Sequence, residues 1–570
     1  MNRFNWIQRK DVDPDVVTEL SSRLDVPLAG ARFLAARELT DLGVAEHYLD
    51  PSPGDIGDPF AFENMERAVE LVAAAIKDGK SVLVHGDYDV DGISGTALLY
   101  HYFDGLFEKI YRFVPDRRKD GYGVAERSIE WALSKKVGLF IAVDCGTSDG
   151  ELLGRLEAAG IDVIVCDHHE FPVDGKYAGV MLNPTREGER YPFRSLCGAG
   201  VAYKLVQALD ARNIRGKSRP EDLLDLVALA TVGDLASLVG ENRYYVRAGL
   251  NLMNEAPRPA VEAMRGFARI GNRQITSHHI AFGLAPRINA PGRVSRPKPS
   301  LEILCENNKS RARELASQLE VDNDRRKELT RIVQDEAVAR IRALADREQR
   351  GGFVIAGEGW DEGVLGIAAA RVVEEFGRPA VLMTVLGDIA KGSGRSIPGV
   401  HLKEHLDRLE DCFVRYGGHS QAVGLTIETR NLERFENGLT GNLTESVSAE
   451  QWRPLKTDAD IEIEECTPEL LTFISRCEPF GNGNKQPVWR ISDVQVMRET
   501  TFVGNNHLKL YFQDTRGVPG EAIKFGWDRD ETPDDLHGRV IDLAVNIKQG
   551  EYMGRRFPEL RIVDIRFHGS

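Results

Sequence analysis

Residues 81–92 read SVLVHGDYDVDG, an apolar run of strand length that continues into one histidine and three aspartates. Two further runs, LFIAVDC at 139–145 and DVIVCDHH at 162–169, also end in acids or histidines, and segments of helical character separate them. Apolar strands that alternate with helices predict an α/β fold with a parallel sheet covered on both faces. Because ligands bind at the carboxyl ends of such strands, we expect these polar clusters to meet in one site.

The cluster after the first run has the composition of a metal site. Three carboxylates beside an imidazole, from His85 to Asp91, would repel one another unless a cation lay among them. Oxygen donors with one nitrogen favour Mn²⁺ or Mg²⁺ over Zn²⁺. An EF-hand also begins D-x-D-x-D-G, but it requires a preceding helix and a glutamate at loop position 12, where this chain has Leu98. An acidic solvated turn is the remaining alternative.

Three later segments carry further candidate ligands. Asp144 ends the second run, His168 and His169 end the third, and Asp234 interrupts the apolar helical run LVALATVGDLASL. Asp144 also suits the N-cap of a following helix, and Asp234 also suits a helix end. Burial of both histidines as core residues would be costly, which favours a functional role for them. Four such segments in order are stronger evidence than any one of them.

The composition is that of a globular protein with several domains. The 570 residues are 42% hydrophobic and 28% charged, and this length predicts three or four domains. The net charge of -15 argues only weakly against a nucleic-acid partner, because a basic groove can coexist with an acidic exterior. We expect no signal peptide and no membrane span. Seven scattered cysteines without a CxxC pair predict reduced thiols in the cytoplasm.

The composition and the hydrophobic pattern of the sequence change along the chain and predict its domains. A highly charged stretch predicts a long connecting helix, and the strand FVIAGEG followed by Gly-rich segments predicts a smaller α/β region. Runs such as HLKLYFQD and PELRIVDIRF predict a small β-barrel. The predicted division is an N-terminal extension packing on the catalytic core (1–50), the catalytic domain (51–304), the connecting helix (305–348), the second α/β domain (349–450) and the barrel (451–570).

The motifs resemble, in order, those of a known superfamily. HGDYDVDG, VDCGTS, CDHHE and TVGDLASL resemble the four motifs of the DHH phosphoesterases, with Cys145 where an asparagine is more typical. Further segments, VPDRRKDGYG, FGLAPRINAPGR, KGSGRSI and RYGGHSQAVGL, resemble the RecJ family of single-strand-specific exonucleases. The resemblance extends from about residue 50 to the C-terminus. It implies a DHH domain with a parallel sheet, a long connecting helix, a DHHA1 domain and a C-terminal OB-fold.

The resemblance also implies a two-metal mechanism. Two divalent ions, Mn²⁺ or Mg²⁺, would activate a water for in-line attack on phosphorus. Asp144 is expected to bridge the ions, and Asp87 to act in the same site as a catalytic or orienting group. His169 is expected to contact the phosphate or to donate a proton to the leaving oxygen, with orientation of His168 as the alternative. The expected metal ligands are His85, Asp89, Asp91, Asp144, His168 and Asp234.

DNA contacts are expected in four places: the segment KGSGRSI, the loop RYGGHSQAVGL, the segment APRINAPGR and the OB-fold. The segment KGSGRSI combines small residues with cations, and the resemblance implies that it binds the 5′-terminal phosphate together with Arg117. A surface salt bridge is the alternative for each arginine, and either Tyr511 or Phe512 must face the core of the barrel. The expected 5′-phosphate and DNA contacts are Arg117, Ser393, Gly394, Arg395, Gly418, His419, Arg287, Asn289 and Arg293. The expected contacts of the OB-fold are His507, Lys509, Tyr511, Lys548 and Arg555.

The implied function is metal-dependent degradation of single-stranded DNA, 5′→3′, to 5′-mononucleotides, in DNA repair and recombination. A narrow cleft rather than base reading is expected to exclude duplex DNA. One alternative is a DHH phosphodiesterase acting on short oligoribonucleotides or cyclic dinucleotides, and another is a non-catalytic single-strand-binding scaffold. The expected partners are single-stranded DNA, a single-strand-binding protein and a RecQ-type helicase, with the chain itself a monomer.

Overall fold

The computed structural model describes residues 4–9, 12–171, 177–447, 454–504, 506–527, 531–552 and 555–568. They fold into two compact units. The first unit comprises His47–Arg326 and Glu478–Lys485, and the second comprises Met1–Glu46, Lys327–Cys477 and Gln486–Ser570. None of the helices in the described ranges has both the length and the apolar character needed to cross a lipid bilayer.

A five-stranded parallel sheet forms the centre of the first unit. Alternate residues of its strands enter two different apolar clusters, with Val82 and Val84 on one face and Leu83 on the other. The sheet is thus covered on both faces, and the predicted α/β fold is confirmed. The order of the strands is Ile110–Phe113, Val82–Gly86, Leu139–Val143, Asp162–Cys166 and Val180–Leu182.

Helices supply the rest of the core of the first unit. The helix Val90–Phe103 follows the aspartate cluster directly, and almost all of it is buried. A π-helical segment, Ile280–Leu284, precedes the helix Ala285–Val294. The helix Leu42–Leu49 crosses the division between the units at residue 46, and the other α-helices of the first unit are Met65–Lys77, Glu126–Lys135, Gly150–Ala158, Gly198–Ala211, Leu224–Gly233, Glu241–Glu255, Pro259–Phe267, Ser277–His279 and Lys298–Leu304.

The predicted long helix spans Lys309–Ala343 and is followed by a second α/β region. The sheet of this region is mixed, because Phe353–Glu358 and Ala380–Leu386 pair in parallel and the later pairs are antiparallel. The helices are Leu365–Phe376, Leu402–Asp407 and Leu432–Ser446. The strands lie in the order Phe413–Gly418, Ala422–Glu428, Ile389–Arg395, Ala380–Leu386 and Phe353–Glu358.

The C-terminal strands form the predicted barrel. Five strands close into a ring, because Trp489–Val496 pairs with both Val540–Tyr552 and His507–Gln513. A ring of five strands is the architecture of an OB-fold, so this prediction is confirmed. The other strands of the ring are Arg555–Phe567 and Pro519–Lys524. Ala459–Asp460 and Thr501–Val503 extend the sheet, and the helices are Pro468–Arg476 and Pro533–Leu536.

The N-terminal segment of the second unit packs beside the barrel. Strand Asn5–Gln8 pairs in parallel with Pro454–Thr457, and the helices Pro14–Leu24 and Leu28–Ala36 follow it. The ring of Phe33, on the second helix, lies 6.0 Å from the ring of Trp489. The N-terminal segment is thus a packing partner of the C-terminal region, which the sequence did not indicate. The predicted domain limits, and the predicted packing of residues 1–50 on the catalytic core, stay predictions.

Candidate metal centre

Most of the predicted ligands lie at the carboxyl edge of the parallel sheet in the first unit. Asp89 caps the helix Val90–Phe103, where its Oδ1 accepts the N–H of Asp91 over 2.9 Å. Asp144 directly follows a strand, and the next helix begins only at Gly150, so Asp144 is not its N-cap. Asp234 is the C-cap of the helix Leu224–Gly233, as one of the two sequence interpretations held.

These side chains converge into three groups of donor atoms, within each of which all the atoms lie within 4.8 Å of one another. Asp144 belongs to two of the groups, which is the position expected of a bridging ligand. His168 lies at the centre, with its Nε2 3.2 Å from Oδ1 of Asp144, 3.7 Å from Oδ2 of Asp91 and 3.8 Å from Oδ2 of Asp234. The groups are Asp87, Asp89 and Asp144; Asp91, His168 and Asp234; and Asp144, His168 and His169.

The electrostatics of the cluster call for a cation. Burial raises the pKa of Asp144 well above the usual aspartate value, and repulsion by Asp91 and Asp89 raises it further. Burial and the same repulsion raise the pKa of Asp234 in the same direction. A divalent ion would remove both penalties, because it supplies the opposite charge that the buried carboxylates lack. The donor set of carboxylate oxygens with imidazole nitrogen therefore fits Mn²⁺ or Mg²⁺.

Asp91 is held by the N-terminus of the helix Gly198–Ala211. Its Oδ2 accepts the N–H of Gly198 over 2.6 Å, and its Oδ1 accepts the N–H of Ala199 over 2.8 Å. Two charge-assisted hydrogen bonds at a helix N-terminus stabilise the carboxylate and fix its direction. A Cβ on Gly198 would lie only 2.6 Å from Cβ of Asp144, so the helix approaches this closely because residue 198 is glycine.

Asp167 organises the two histidines, a role that the sequence analysis did not assign. Its Oδ1 accepts the backbone N–H of His168 over 2.7 Å and lies 2.7 Å from Nδ1 of His169. Its Oδ2 accepts the N–H of Thr147. Burial lowers the pKa of His169, but the hydrogen bond and charge of Asp167 outweigh it and raise that pKa to about 9.

Tyr122 is a second residue of the site that no sequence motif singled out. Its hydroxyl lies 2.7 Å from Nε2 of His169, so both ring nitrogens of His169 have partners. The ring of Tyr122 also meets the ring of Tyr88 edge to face, and the guanidinium of Arg117 lies 5.5 Å from the centre of the Tyr88 ring. Only the quoted segment VPDRRKDGYG, which contains both Arg117 and Tyr122, pointed towards this rim.

His85 is buried behind the carboxylates. Its ring stacks between Phe113 and Phe140, with centroids 5.3 and 5.9 Å away, and burial lowers its pKa to about 4. Within the described ranges His85 belongs to none of the donor groups, although its Nδ1 and Oδ1 of Asp87 are buried without hydrogen-bond partners. Its role as a metal ligand stays a prediction.

Cys145 is buried just after the strand Leu139–Val143. Its side chain lies in the apolar cluster that contains Ala142 and Val165, and its Sγ lies 3.5 Å from the carbonyl oxygen of Val143. The departure from the more typical asparagine therefore falls in this apolar cluster.

Arg287 does not fit the predicted role on the DNA path. It is only 6% exposed, and its guanidinium donates to Glu320 and to the carbonyl oxygens of Gly283 and Phe267. The ion pair with Glu320 accounts for these contacts, although it is largely buried and not the surface salt bridge given as the alternative. The side-chain oxygen of Asn289 accepts the N–H of Val90 over 2.7 Å. It thus supports the start of the helix Val90–Phe103, beside Asp89. Arg293 is half-buried near the same segment, where its carbonyl oxygen accepts from Arg118.

The predicted phosphate segment lies in the second unit. Arg395 donates to the hydroxyl of Ser393 over 3.2 Å and to the carbonyl oxygen of Gly394 over 2.8 Å. A Cβ on Gly366 would lie 2.7 Å from Nη2 of Arg395, so the N-terminus of the helix Leu365–Phe376 faces this pair closely. An arginine, a hydroxyl and a helix N-terminus together favour an anion.

The loop that carries Gly418 and His419 lies beside that segment in the same sheet. Gly418 pairs with Val423, and Val423 pairs with Gly394 on the next strand. His419 is exposed, and its backbone N–H donates to the carbonyl oxygen of Ala422. The sheet thus brings the two predicted segments of the DHHA1 region together.

The barrel presents the predicted contacts on one face of a strand. Along His507–Gln513 the buried residues are Leu508, Leu510 and Phe512, so His507, Lys509 and Tyr511 point outward. Lys509 lies 5.0 Å from the Tyr511 ring and pairs with Glu521. Lys548 is exposed, and the side chain of Arg555 lies outside the described residues.

Three family models match the chain. They are the DHH family N-terminal domain over residues 81–231, the DHHA1 domain over 350–443 and the RecJ OB domain over 457–564. The single-stranded-DNA-specific exonuclease RecJ of Dickeya dadantii is 31% identical over 587 residues, with 99% of each chain covered. The RecJ of Salmonella typhimurium is 32% identical over 523 residues, which are 88% of this chain and 90% of that protein.

Solved structures give the same result. RecJ from Thermus thermophilus in complex with Mn²⁺ matches with a TM-score of 0.84 at 25% identity, covering 100% of this chain and 80% of that chain. An exonuclease RecJ bound to manganese matches with a TM-score of 0.58 at 29% identity, covering 68% of this chain and 96% of that one. With the sequence relatives above, these matches establish that this chain belongs to the RecJ family of single-stranded-DNA-specific exonucleases.

Proposed function

We propose that this chain is a metal-dependent exonuclease that degrades single-stranded DNA from the 5′ end to 5′-mononucleotides, in DNA repair and recombination. The relatives named for this activity support the proposal over nearly the whole chain. The observation that carries it is the convergence of five aspartates with His168 and His169 at one edge of the sheet. Such a donor set suits a phosphodiester hydrolase better than a scaffold, because a scaffold has no use for buried, mutually repelling carboxylates.

Two divalent ions, Mn²⁺ or Mg²⁺, would be held by Asp89, Asp91, Asp144, His168 and Asp234, and the RecJ structures with bound manganese support this choice of ion. When bound, such ions activate water and offset charge on the phosphoryl group. Asp144 belongs to two of the three donor groups, and the N-terminus of the helix Gly198–Ala211 fixes Asp91. Asp87 belongs to the same cluster and acts as a ligand or as an orienting group.

His169 is placed to act on the scissile phosphate. Asp167 orients its ring through Nδ1, which leaves Nε2 directed towards the rim of the cluster and the hydroxyl of Tyr122. A substrate oxygen that approached Nε2 beside the Tyr122 hydroxyl would meet a ring that Asp167 and Tyr122 hold in place. Arg117 is exposed beside Tyr88 on the same rim, where it would bind a phosphate oxygen.

The terminal phosphate would bind at Ser393 and Arg395. The hydroxyl, the guanidinium and the N-terminus of the helix Leu365–Phe376 all favour a dianionic phosphate at this point. A preference for such a phosphate explains why cleavage starts at a 5′ end. The outward residues His507, Lys509 and Tyr511 of the barrel would bind the following nucleotides by stacking and by charge.

Polarity is tested with blocked substrates. In Mn²⁺, a single-stranded oligonucleotide with a 3′ block should be degraded, while the same strand with a 5′ block and its duplex form should resist. Arg395→Ala should lose the preference for 5′-phosphorylated over 5′-hydroxyl ends. Arg371→Ala is a matched control, because Arg371 is exposed on the helix Leu365–Phe376 and pairs with Glu374 rather than with the phosphate segment. Degradation of the 5′-blocked strand with resistance of the 3′-blocked one would overturn the polarity.

Assays on the same purified protein also distinguish the exonuclease from the two alternative functions. The OB-fold argues for longer strands over short oligoribonucleotides, so a diribonucleotide should be a poor competitor of single-stranded DNA. A non-catalytic scaffold would bind the strand without releasing mononucleotides in any metal. Every predicted ligand position still carries aspartate or histidine, which favours the enzyme.

The remaining partners and the location of the chain are also proposals. We infer a monomer in the cytoplasm that works with a single-strand-binding protein and a RecQ-type helicase. The seven cysteines are free thiols, six of them buried, which suits a reducing compartment. Light scattering after size exclusion tests the monomer, and pull-down with each purified partner tests the complexes.

A further inference from the structure

A cavity of about 750 Å³ lies in the first unit beyond the edge strand Ile110–Phe113, outside the metal centre. Its walls come from this strand, the segment after it, the helix Glu126–Lys135 and the residues around the helix Lys298–Leu304. The segment between Val114 and Gly123 lies between the two sites. It gives Asp116 and Lys119 to the cavity, whereas its Tyr122 contacts His169 of the metal centre.

The lining of this cavity is basic in a protein whose net charge is -15. Five cations face three acids across it: Arg112, Lys119, Arg127, Arg296 and Lys298 against Asp116, Glu130 and Glu302. Arg127 is paired with Asp120, and Lys298 with Glu302. The side chains of Lys119 and Arg296 are exposed and have no ion-pair partner within the described residues. Cations gathered around one cavity repel each other, and an anion between them would relieve that repulsion.

An aromatic wall stands beside these cations. Trp131 is half-buried, with the rings of Tyr111 and Phe113 packed against it at 5.3 and 6.1 Å, and it also lines the cavity. An indole that is held by neighbouring rings and lines a cavity offers a stacking surface to a planar ring. A planar ring and an anionic group, within a volume of this size, are the features of one nucleotide.

The basic surface continues in one neighbouring groove, which shares Lys119 and Arg296 with the cavity and adds Arg118 and Arg325. A second groove shares Arg112 and adds Arg311, but Glu302 and Glu306 balance its two cations. The acids Glu130 and Glu302 at the cavity itself can accept hydrogen bonds from a sugar or a base. The combination favours a nucleotide over a protein segment.

We propose that this cavity is a second nucleotide site, in which Trp131 stacks on the base and Lys119 and Arg296 bind the phosphate. The ligand is a nucleotide unit with its phosphate, whether a free nucleoside monophosphate or one residue of a single strand. The site is distinct from the metal centre, and its occupation does not depend on the proposed hydrolysis.

Photo-crosslinking tests the site on the full chain in EDTA, where hydrolysis is absent. The probes are 5-iodo-2′-deoxyuridine 5′-monophosphate and an oligothymidylate with one internal 5-iododeoxyuridine, and labelled peptides are mapped by mass spectrometry. We expect label on Trp131 with at least one probe, competed by thymidine monophosphate at least tenfold better than by thymidine. Label with the free nucleotide, or only with the strand, identifies the source of the ligand.

Charge-reversal variants complete the test. Lys119→Glu with Arg296→Glu should reduce labelling of Trp131 at least tenfold, while circular dichroism shows an unchanged fold. Lys135→Glu, an exposed position on the same helix as Trp131 but outside the cavity, should label as the parent does. No label on Trp131 with either probe, equal competition by the nucleoside, or full labelling of the double variant would overturn the proposal. Failure here leaves the exonuclease assay unaffected, so the two proposals can be judged separately.

Discussion

The backbone N–H of Gly198 donates to Oδ2 of Asp91 over 2.6 Å, and a Cβ on the same glycine would lie 2.6 Å from Cβ of Asp144. Gly198 therefore fixes Asp91 by a hydrogen bond and, because it has no side chain, leaves room for Asp144. Because Asp144 is shared by two donor groups, a displacement here disturbs both proposed cation positions.

We expect Gly198→Ala to weaken Mn²⁺ binding roughly 10- to 100-fold, the range seen when groups that support metal ligands are lost. The added methyl must push the helix away from Asp144, so hydrolysis of single-stranded DNA should fall as well. Calorimetric titration with Mn²⁺ measures the affinity. Gly200→Ala is the control, because its Cβ would meet Leu196 at an ordinary 3.4 Å. An unchanged affinity in Gly198→Ala would contradict this account.

Tyr122→Phe should reduce kcat modestly. It removes one hydrogen bond to Nε2 of His169, of about 1 kcal/mol, and so predicts a loss of roughly fivefold. Asp167→Asn should cost more, because Asp167 orients the His169 ring and accepts three further backbone N–H groups. Steady-state kinetics on a 5′-phosphorylated single strand gives both values. The hypothesis fails if Tyr122→Phe loses more activity than Asp167→Asn.

Arg287→Ala should destabilise the fold rather than weaken DNA binding directly. Its partner Glu320 would be left without its ion pair in a partly buried place, at a cost of about 3 kcal/mol in the free energy of unfolding. Urea denaturation measures this loss. Fluorescence anisotropy at a temperature where the variant stays folded should give an unchanged Kd for a single strand.

Arg117→Ala is the opposite case. Arg117 is exposed, so its loss should leave the denaturation midpoint unchanged while it weakens the binding of single-stranded DNA. If Arg287→Ala instead weakened DNA binding in a fully stable protein, the original prediction of a DNA contact would be restored.

The stability of the first unit should fall in mild acid partly through His101. Burial lowers the pKa of His101 to about 4, with the charge of Arg258 acting in the same direction, against 6.5 in an unfolded chain. Between pH 6.5 and 4 the unfolded chain takes up a proton that the folded chain refuses, so stability decreases as the pH falls.

His101→Gln removes the titrating imidazole, while the amide of the new glutamine can still donate to the carbonyl oxygen of Leu304. From pH 7 to pH 5, in EDTA, the stability of the parent should therefore fall by about 2 kcal/mol more than that of the variant. Urea denaturation at the two pH values gives the difference. Equal losses would show that His101 is not held neutral by the fold.

Much of the metal centre could be predicted because its residues follow strands. The order of apolar runs and polar ends predicted that Asp89, Asp144 and His168 would meet, and they do. In a parallel sheet the carboxyl ends of neighbouring strands lie at the same edge, regardless of the conformation of the loops. The convergence of these residues can therefore be inferred from the pattern of apolar strands alone. For Asp234 the sequence left a helix end and a ligand open, and the resemblance decided between them.

Residues that act through tertiary contacts could not be predicted in the same way. Arg287 has the residue type expected of a DNA contact. Its partner Glu320, however, is 33 residues away in the sequence, and no local pattern joins the two residues. Tyr122 lies in a loop between a strand and a helix, where hydrophobic periodicity carries no information. The packing of Phe33 against Trp489 likewise depends on chain ends that only the fold brings together.

The number of Mn²⁺ ions bound per chain tests the central claim most directly. Equilibrium dialysis with metal analysis should find two ions in the parent, and Asp144→Asn should lose at least one together with the hydrolysis of single-stranded DNA. Matching circular dichroism spectra of the two proteins would exclude unfolding as the cause. A parent that bound no Mn²⁺, or one that kept full activity after complete chelation, would contradict the account.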